Sequence, residues 1–300
     1  MNLETLIIRN TVFLTVLLLS AMSAHAAQQI DRDKLVAQLE TQRCVDFEER
    51  KLKFCKFDYE SDGRNVEAIA IFPLATGNYP GVVMIPGFEG TAKTLLGVGM
   101  FFAQQGFACL ALTPPGFGKS EGKRDFMGPA SIDAFATGFR KFRHDPYVDS
   151  TKMGIFGYSR GAMAASLLAV KLGHEVKAAV FGAGVYDFKR AYDDTKLDGI
   201  RDNMKLETGM TEKAIKERSS VLHMEKLKCP VLIIHGENDG NAPTNQAFIL
   251  RDRLVALKKE FEFKLLPDHV HGQLKGDFLT PVLDFLSRKL KGTPATRKFA

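Results

Sequence analysis

The stretch Gly157-Tyr158-Ser159-Arg160-Gly161 follows an apolar run at residues 153–156 and precedes an alanine-rich run that extends to residue 169. Glycines two positions before and after a serine suit a strained turn between a strand and a helix, because a side chain there would collide with neighbouring backbone. The pattern also occurs by chance in glycine-rich surface loops. Its flanking segments favour the first interpretation, which predicts Ser159 as a nucleophile held above the end of a sheet.

The first residues of the chain have the features of a signal peptide. Residues 6–20 are almost wholly apolar, and Ala24-His25-Ala26 is typical of a cleavage site. We therefore predict a signal peptide over residues 1–26, cleaved after Ala26, and a secreted or periplasmic protein with no stable membrane insertion after cleavage. An uncleaved anchor is the alternative, although the apolar stretch is short for a transmembrane helix.

Composition and charge narrow the class of protein. The chain has 300 residues, of which 45% are hydrophobic and 25% charged, which is ordinary for one large α/β domain. The net charge of +6 is spread along the sequence without a dense basic patch interleaved with aromatic residues, so nucleic acid is not a predicted partner.

The four cysteines divide into two kinds. Export would favour oxidation of a pair within reach, and Cys44 and Cys55 flank a charged stretch that a hairpin or a helix-to-strand connection would fold back on itself. They are the candidate disulfide. Cys109 lies inside an apolar run and Cys229 directly precedes another, so both are predicted to be buried free thiols.

Short apolar runs alternate with helical segments after residue 81. Runs without polar alternation are typical of strands buried on both faces, and the segments between them place apolar residues on one helical face. This alternation predicts an α/β fold with a mainly parallel central sheet and helices on both faces. The predicted strands are residues 82–85, 107–112, 153–156, 176–181, 231–234 and 261–266, and the predicted helices include 130–143, 242–257 and a last helix from Thr280-Pro281 to Lys291.

An N-terminal antiparallel hairpin is predicted before this alternation. A short helix at residues 31–40 is followed by strands at 51–59 and 65–72, which the turn Ser61-Asp62-Gly63-Arg64 joins. The domain boundaries predicted from these patterns are residues 27–64 for the N-terminal helix and first strand, 65–292 for the main domain and 293–300 for a tail.

One long segment, residues 184–227, interrupts the alternation because it is charged and only partly helical. It lies between two strands that should both end near the serine. Residues 185–227 are therefore expected to form either a cap over the site or a solvated helical insertion without substrate contact.

A serine hydroxyl needs a base to remove its proton, and that base needs an acid to orient it. Asp239 lies in a turn just beyond the strand at 231–234 and is the predicted acid, although Glu237 lies nearer the strand end. His271 is the predicted base because a following glycine provides a turn that directs its imidazole back over the sheet, and His269 is the alternative base. A His-x-His pair could instead bind a metal, but no third ligand cluster lies nearby in sequence.

Two backbone donors are expected to stabilise the oxyanion. One is the N–H of Arg160, and the other is the N–H of Phe88 in the loop Pro86-Gly87-Phe88-Glu89-Gly90. The Arg160 side chain is expected either to form a surface ion pair or to attract an anionic substrate. His235 is interpreted as a structural residue.

In the order Ser159, Asp239 and His271, these motifs resemble the α/β-hydrolase superfamily over residues 66–291. The chain is most similar to the dienelactone-hydrolase-like and acyl-peptidase-like branches in Val148-Asp149, in Gly-Tyr-Ser-Arg-Gly, and in Cys229-Pro230 leading to His-Gly-Glu-Asn-Asp. The loop at residues 113–122 also resembles theirs.

Three positions depart from the pattern of these branches. Thr113 replaces the usual aspartate at the start of its loop, and the oxyanion loop reads Pro-Gly-Phe-Glu-Gly where relatives often have His-Gly-Gly. A dienelactone hydrolase would use cysteine as the nucleophile, where this chain has Ser159.

The predicted function is therefore an exported serine hydrolase that cleaves carboxylic esters through an acyl-enzyme intermediate, with a small-molecule ester or acyl substrate, no cofactor and no metal. Peptidase, amidase, acyltransferase or thioesterase chemistry would use the same triad and is the alternative among enzymes. A non-catalytic binding protein on the same fold is the alternative from another class.

Overall fold

The computed structural model describes residues 32–274 and 276–294 and divides the chain into two compact units, residues 1–42 and 43–300. The described part of the first unit is helix α1 (Arg32–Thr41), within a residue of the predicted helix. The predicted signal peptide lies outside the described residues, as do the last six residues of the predicted tail. No helix in the described ranges is long and apolar enough to cross a membrane.

The second unit is organised around one large mixed sheet. Its strands are β1 (Cys44–Phe47), β2 (Leu52–Lys56), β5 (Ala68–Pro73), β6 (Tyr79–Ile85), β7 (Ala108–Leu112), β8 (Val148–Tyr158), β9 (Ala178–Gly182), β10 (Val231–Gly236) and β11 (Phe261–Leu266), while β3 (Tyr59–Ser61) and β4 (Arg64–Val66) form a separate hairpin. The order in the sheet is β1-β2-β5-β7-β6-β8-β9-β10-β11.

Strand direction divides this sheet in two. Strands β7, β6, β8, β9, β10 and β11 pair in parallel, whereas β1, β2 and β5 join the edge beside β7 in antiparallel pairs. Every residue of β7, β9 and β10 is buried, which explains their continuous apolar sequences. The prediction of a mainly parallel sheet with an N-terminal antiparallel hairpin is confirmed.

Helices connect the parallel strands and flank the sheet. They are α2 (Leu96–Gln104), α3 (Pro129–Arg143), α4 (Arg160–Leu172), α5 (Phe188–Asp194), α6 (Asp198–Thr208), α7 (Glu212–Arg218), α8 (Asn245–Ala256) and α9 (Gly276–Lys291). Helix α4 follows β8 in sequence, with one residue between Tyr158 and the start of the helix, and packs on β8 and β9.

Several boundaries differ from the predictions. Helix α9 begins at Gly276, one turn before Thr280, so Pro281 lies inside the helix and not in its first turn. The reason is burial: Phe278 is fully buried and packs edge-on against Tyr158, which draws this segment into the helix. Strand β8 starts earlier than predicted because Val148 and Asp149 pair with Tyr79 and Pro80 of β6, before a register shift that leads to Met153.

The N-terminal hairpin is also more divided than predicted. Strand β2 ends at Lys56, and the turn at Asp62 and Gly63 joins the short strands β3 and β4 instead of the two long strands. Strand β1, which the prediction did not include, pairs with β2 so that Cys44 lies opposite Cys55, and the two form a disulfide.

Candidate active site

The elbow around Ser159 has the geometry that its glycines imply. Ser159 has φ +57° and ψ −127°, a strained conformation for a residue with a side chain, and its N–H donates to Gly182 O at 2.8 Å. A Cβ on Gly157 would lie 2.2 Å from Gly161 O, and a Cβ on Gly161 would lie 2.3 Å from Ile85 O. Only glycine fits at either position, so the turn places the Ser159 hydroxyl at the carboxyl end of β8.

Three residues from the ends of three parallel strands meet at this point. Ser159 follows β8, Asp239 follows β10 and His271 follows β11. His271 Nε2 lies 2.9 Å from Ser159 Oγ, and His271 Nδ1 lies 2.7 Å from Asp239 Oδ2. With Nδ1–H donating to the carboxylate, Nε2 is free to accept the serine proton.

Asp239 is held as an ionised acceptor. Its Oδ1 accepts the backbone N–H groups of Asn241 at 2.9 Å and Ala242 at 2.8 Å. Burial by itself would raise the pKa of Asp239, but hydrogen bonds with His235 and His271 and the N–H of Ala242 outweigh it and hold that pKa well below its usual value. The side chain therefore stays negative beside the imidazole.

His235, interpreted from sequence as structural, lies directly behind this acid. Its ring is fully buried, with Nε2 2.9 Å from Ala242 O and 3.4 Å from Asp239 Oδ2. Both neighbours are acceptors, so Nε2 carries the proton. His235 thus fixes the turn that presents Asp239.

The other sequence candidates lie elsewhere. His269 is buried, with its ring 5.8 Å from that of Phe278 and its Nε2 3.8 Å from Asp277 Oδ2, and it makes no hydrogen bond to Ser159. Glu237 is exposed and makes no hydrogen bond to His271. Across residues 32–274 and 276–294, no group of three His, Cys, Asp or Glu side chains is placed to hold a metal ion.

Tyr158 is a site residue that the sequence reasoning missed. Its hydroxyl accepts the N–H of Gly272 at 2.6 Å, and its ring centroid lies 5.2 Å from that of His271. Burial raises the pKa of Tyr158 to about 12, so the hydroxyl stays neutral. An aromatic residue directly before the serine was the one available signal, and its partner 114 positions away was not visible from sequence.

The loop with the predicted oxyanion donor runs beside the serine. A Cβ on Gly87 would lie 3.2 Å from Ser159 Cβ, so the backbone passes close to the serine and a side chain here would be crowded. Neither Phe88 N–H nor Arg160 N–H donates to another backbone group in the described part of the chain. Arg160 is the first residue of α4, where a helix offers its amide no acceptor. Both amides are therefore available to an oxyanion.

Thr113, which replaces the usual aspartate, contacts a carboxylate from the segment before β5. Thr113 Oγ1 donates to the buried carboxylate of Glu67 at 2.9 Å and accepts the N–H of Ala92 at 2.9 Å. Ser120 Oγ accepts the N–H of Glu67 and donates to Thr113 O. Glu67 and Thr113 thereby connect the loop at residues 113–122 to Ala92, which follows the oxyanion loop.

A cavity of about 430 Å³ opens at Ser159 and His271. Part of its wall comes from α5, α6 and the segment between them, within residues 185–227. Its lining is mostly apolar, with Phe88, Phe126, Met163, Val185, Phe188, Ala191, Ile200, Met204 and Leu274.

Arg160 contributes a charge to this apolar wall. Its side chain is only 5% exposed, and Nη1 lies 3.9 Å from Oε1 of Glu207, which is equally buried. The expectation of a surface ion pair is therefore wrong, because both partners are buried.

Together, the sheet, the elbow and the order of the three residues define a serine hydrolase of the α/β-hydrolase superfamily. The chain belongs to the prolyl oligopeptidase family, whose model matches residues 99–293. The uncharacterized peptidase YtmA of Bacillus subtilis is 32% identical over 209 residues, which cover 68% of this chain and 80% of that protein. The acyl-peptidase-like resemblance is confirmed.

Solved structures agree with this fold at lower sequence identity. A puromycin-hydrolyzing peptidase of Mycobacterium tuberculosis matches with a TM-score of 0.68 at 20% identity, over 79% of this chain and 39% of that chain. The acylaminoacyl peptidase of Pyrococcus horikoshii matches with a TM-score of 0.69 at 18% identity, over 83% of this chain and 43% of that chain. This chain therefore corresponds to less than half of each of those proteins.

Proposed function

We propose that this chain is a serine peptidase that cleaves short peptides or other acylated amides. The observation that carries the proposal is the pair of hydrogen bonds at 2.9 Å and 2.7 Å that joins Ser159 to His271 and His271 to Asp239. A hydroxyl, an imidazole and an ionised carboxylate in this order form the relay that acyl transfer to serine requires.

In this proposal each group of the site has one role. Ser159 Oγ attacks the carbonyl carbon while His271 Nε2 takes the hydroxyl proton, and Asp239 stabilises the imidazolium. The N–H groups of Phe88 and Arg160 receive the negative charge that forms on the carbonyl oxygen. The imidazolium then gives its proton to the leaving amine, and water releases the acyl group from Ser159 by the same steps.

Family membership and the name of the Bacillus subtilis relative support a peptide or amide substrate. The apolar cavity supports a hydrophobic acyl part, since burying such a group beside Phe188 and Met204 is favourable. A carboxylesterase, the first choice from sequence, is the second candidate, because this wall also suits an acyl chain and an ester has the better leaving group.

A fluorophosphonate label and two matched substrates test these candidates. Ser159 should be labelled in the wild-type protein and not in Ser159→Ala. An N-acetyl-phenylalanine p-nitroanilide and the corresponding 4-nitrophenyl ester then compare amide with ester hydrolysis. Hydrolysis of both supports the peptidase, hydrolysis of the ester alone supports the esterase, and a protein that neither labels nor hydrolyses would contradict both in favour of a binding protein.

We also propose that the protein acts outside the cytoplasm. Its support is the Cys44–Cys55 disulfide, which persists in oxidising compartments, together with the signal-like sequence before Ala26. N-terminal sequencing of the protein from the native envelope and medium fractions should show that the mature chain begins after Ala26. An intact N-terminus in the cytoplasmic fraction would contradict export.

A further inference from the structure

The guanidinium of Arg160 occupies an aromatic enclosure one residue after the nucleophile. Its carbon atom lies 5.1 Å from the ring centre of Phe88, 5.0 Å from that of Phe117 and 5.1 Å from that of Phe126. The faces of aromatic rings attract a cation but accept no strong hydrogen bond. The rings therefore hold the charge in place without satisfying its N–H groups.

Two of the three nitrogens of this buried guanidinium lack a hydrogen-bond partner among the described residues. Nε and Nη1 of Arg160 are buried without a partner in the described part of the chain. Glu207 Oε1, at 3.9 Å from Nη1, lies beyond hydrogen-bond distance, and Glu207 Oε2 already accepts the N–H of Phe126 at 2.7 Å. Burying charged donors without acceptors is costly, and such an exception in a folded protein calls for an explanation.

The position of Arg160 in the cavity explains why these donors have no partner. Arg160 lines the same cavity as Ser159 and His271. His271 must protonate the leaving group, and its ring lies beside the ring of Tyr158. The Arg160 guanidinium lies instead over the rings of Phe88 and Phe126, and the Phe126 ring packs edge-on against that of Phe188 at 5.4 Å. Since the leaving group must lie within reach of His271, the part of the cavity beside Arg160 is open to the acyl part of the substrate.

We propose that the Arg160 side chain binds a carboxylate carried by the acyl part of the substrate, so that this hydrolase prefers anionic acyl groups with an apolar body. The proposal rests on the proposed function, since it names a substrate class for the same site. The apolar body would contact the surrounding phenylalanine and methionine side chains. The carboxylate would supply the acceptors that the guanidinium lacks.

Two properties of arginine make this pairing favourable. The planar guanidinium has five N–H donors and can bind a carboxylate through two of them while another edge faces Glu207. The site is also already desolvated, so the approaching carboxylate meets a cation whose water has been removed on folding. Glu207 limits the attraction, because it places a negative charge near the same guanidinium.

The test compares N-succinyl-phenylalanine p-nitroanilide with its N-acetyl counterpart, which lacks the –CH2–COO⁻ group at the end of the succinyl chain. The measured quantity is the ratio of kcat/KM for the succinyl substrate to kcat/KM for the acetyl substrate. We expect this ratio to exceed one in the wild type and to fall roughly 10- to 100-fold in Arg160→Met, as loss of a charge-assisted hydrogen bond implies. In Glu207→Gln the ratio should rise.

Arg124→Met is the matched control. Arg124 also lies over the ring of Phe117, at 4.1 Å, but it is half-exposed and does not line the cavity. Its loss removes one positive charge from the same surroundings, so an equal fall of the ratio in both variants would overturn the proposal as a general effect of charge.

Two further measurements keep the inference separate from the proposed function. Fluorophosphonate labelling of Ser159 in each variant shows that the elbow is intact. If turnover is slow, calorimetry of the binding of N-succinyl- and N-acetyl-phenylalanine amide to Ser159→Ala replaces the kinetic comparison. A labelled wild type whose ratio does not exceed one, or tighter binding of the acetyl compound, would overturn the role of Arg160 alone. Absence of labelling would instead contradict the proposed function.

Discussion

His269 and His271 are two residues apart in one loop, yet they meet entirely different surroundings. His271 has both ring nitrogens paired, with Ser159 and with Asp239. His269 is more deeply buried, its Nε2 has no hydrogen-bond partner among the described residues, and its carbonyl accepts the N–H of Asn238. One histidine is therefore placed for proton transfer, and the other fixes the loop to the end of β10.

The two histidines do not lie on a regular strand. Residues two apart on such a strand share a face, so a simple extension of β11 would direct both rings the same way. Strand β11 ends at Leu266, and the positive φ values of Asp268 (+54°) and Gly272 (+89°) show that the chain leaves the strand conformation here. A motif can therefore limit the candidates for a base to two neighbours, while the conformation of the loop decides which of them faces the serine.

Replacing the two histidines in turn is the strongest test of this contrast. His271→Ala should lower kcat roughly 10⁴- to 10⁶-fold, because the serine loses its base. His269→Ala should retain most of the activity while lowering the free energy of unfolding by about 1–3 kcal/mol, because a buried ring is lost. Steady-state kinetics with urea unfolding separates the two outcomes. Similar losses of kcat in both variants would contradict the assignment of His271 alone as the base.

The two acidic candidates form a second pair. Asp239→Asn should lower kcat by roughly 10⁴-fold, because an amide cannot hold the imidazole in the required tautomer or stabilise its charge. Glu237→Gln, at an exposed position two residues earlier, should leave kcat within about twofold of the wild type. Equal activity of both variants would show that Asp239 is not the acid.

Acid unfolding tests the ionised state of Asp239. Since its folded pKa lies below the unfolded value of about 3.9, its ionised form stabilises the fold above that pH, and this stabilisation is lost as the pH falls towards the folded pKa. The difference in unfolding free energy between wild type and Asp239→Asn should therefore be constant above about pH 5 and shrink below about pH 4. A difference independent of pH would contradict the depressed pKa.

Tyr158→Phe has the smallest expected effect. It removes the hydroxyl that accepts the N–H of Gly272 but keeps the ring beside His271. Loss of one hydrogen bond of about 1 kcal/mol should lower kcat/KM roughly 5-fold. If kcat/KM of the variant equals that of the wild type, the hydroxyl does not position the loop of His271.

Much of the fold followed from local patterns, and the failures have identifiable causes. Continuous apolar runs marked the parallel strands because burial on both faces excludes polar residues. The start of α9 was missed because Phe278 joins that helix through contacts with Tyr158, far away in sequence. The first part of β8 was missed because polar residues separate Val148 from the apolar run at Met153, and the pairing of Val148 and Asp149 with β6 is what joins them to the strand.

The candidate site was predictable to a similar degree. Ser159 and Asp239 stood in recognisable positions at strand ends, and His271 was one of two candidates. The hydrogen bond between Thr113 and Glu67 was not predictable, because Thr113 directly follows β7, Glu67 directly precedes β5, and the two meet only through the antiparallel pairing of these strands. The hydrogen bond between Tyr158 and Gly272 was equally unpredictable, because the two residues are 114 positions apart.

The sequence by itself determined the elbow, since the glycines at 157 and 161 are needed wherever a strand turns so sharply into a helix. It also determined the alternation of strands and helices and the order of the three site residues. Only the tertiary structure decided which histidine faces the serine and that Arg160 is buried among aromatic rings. Both outcomes depend on contacts between distant segments, and α6 and the loop after β11 reach the serine only once the sheet has formed.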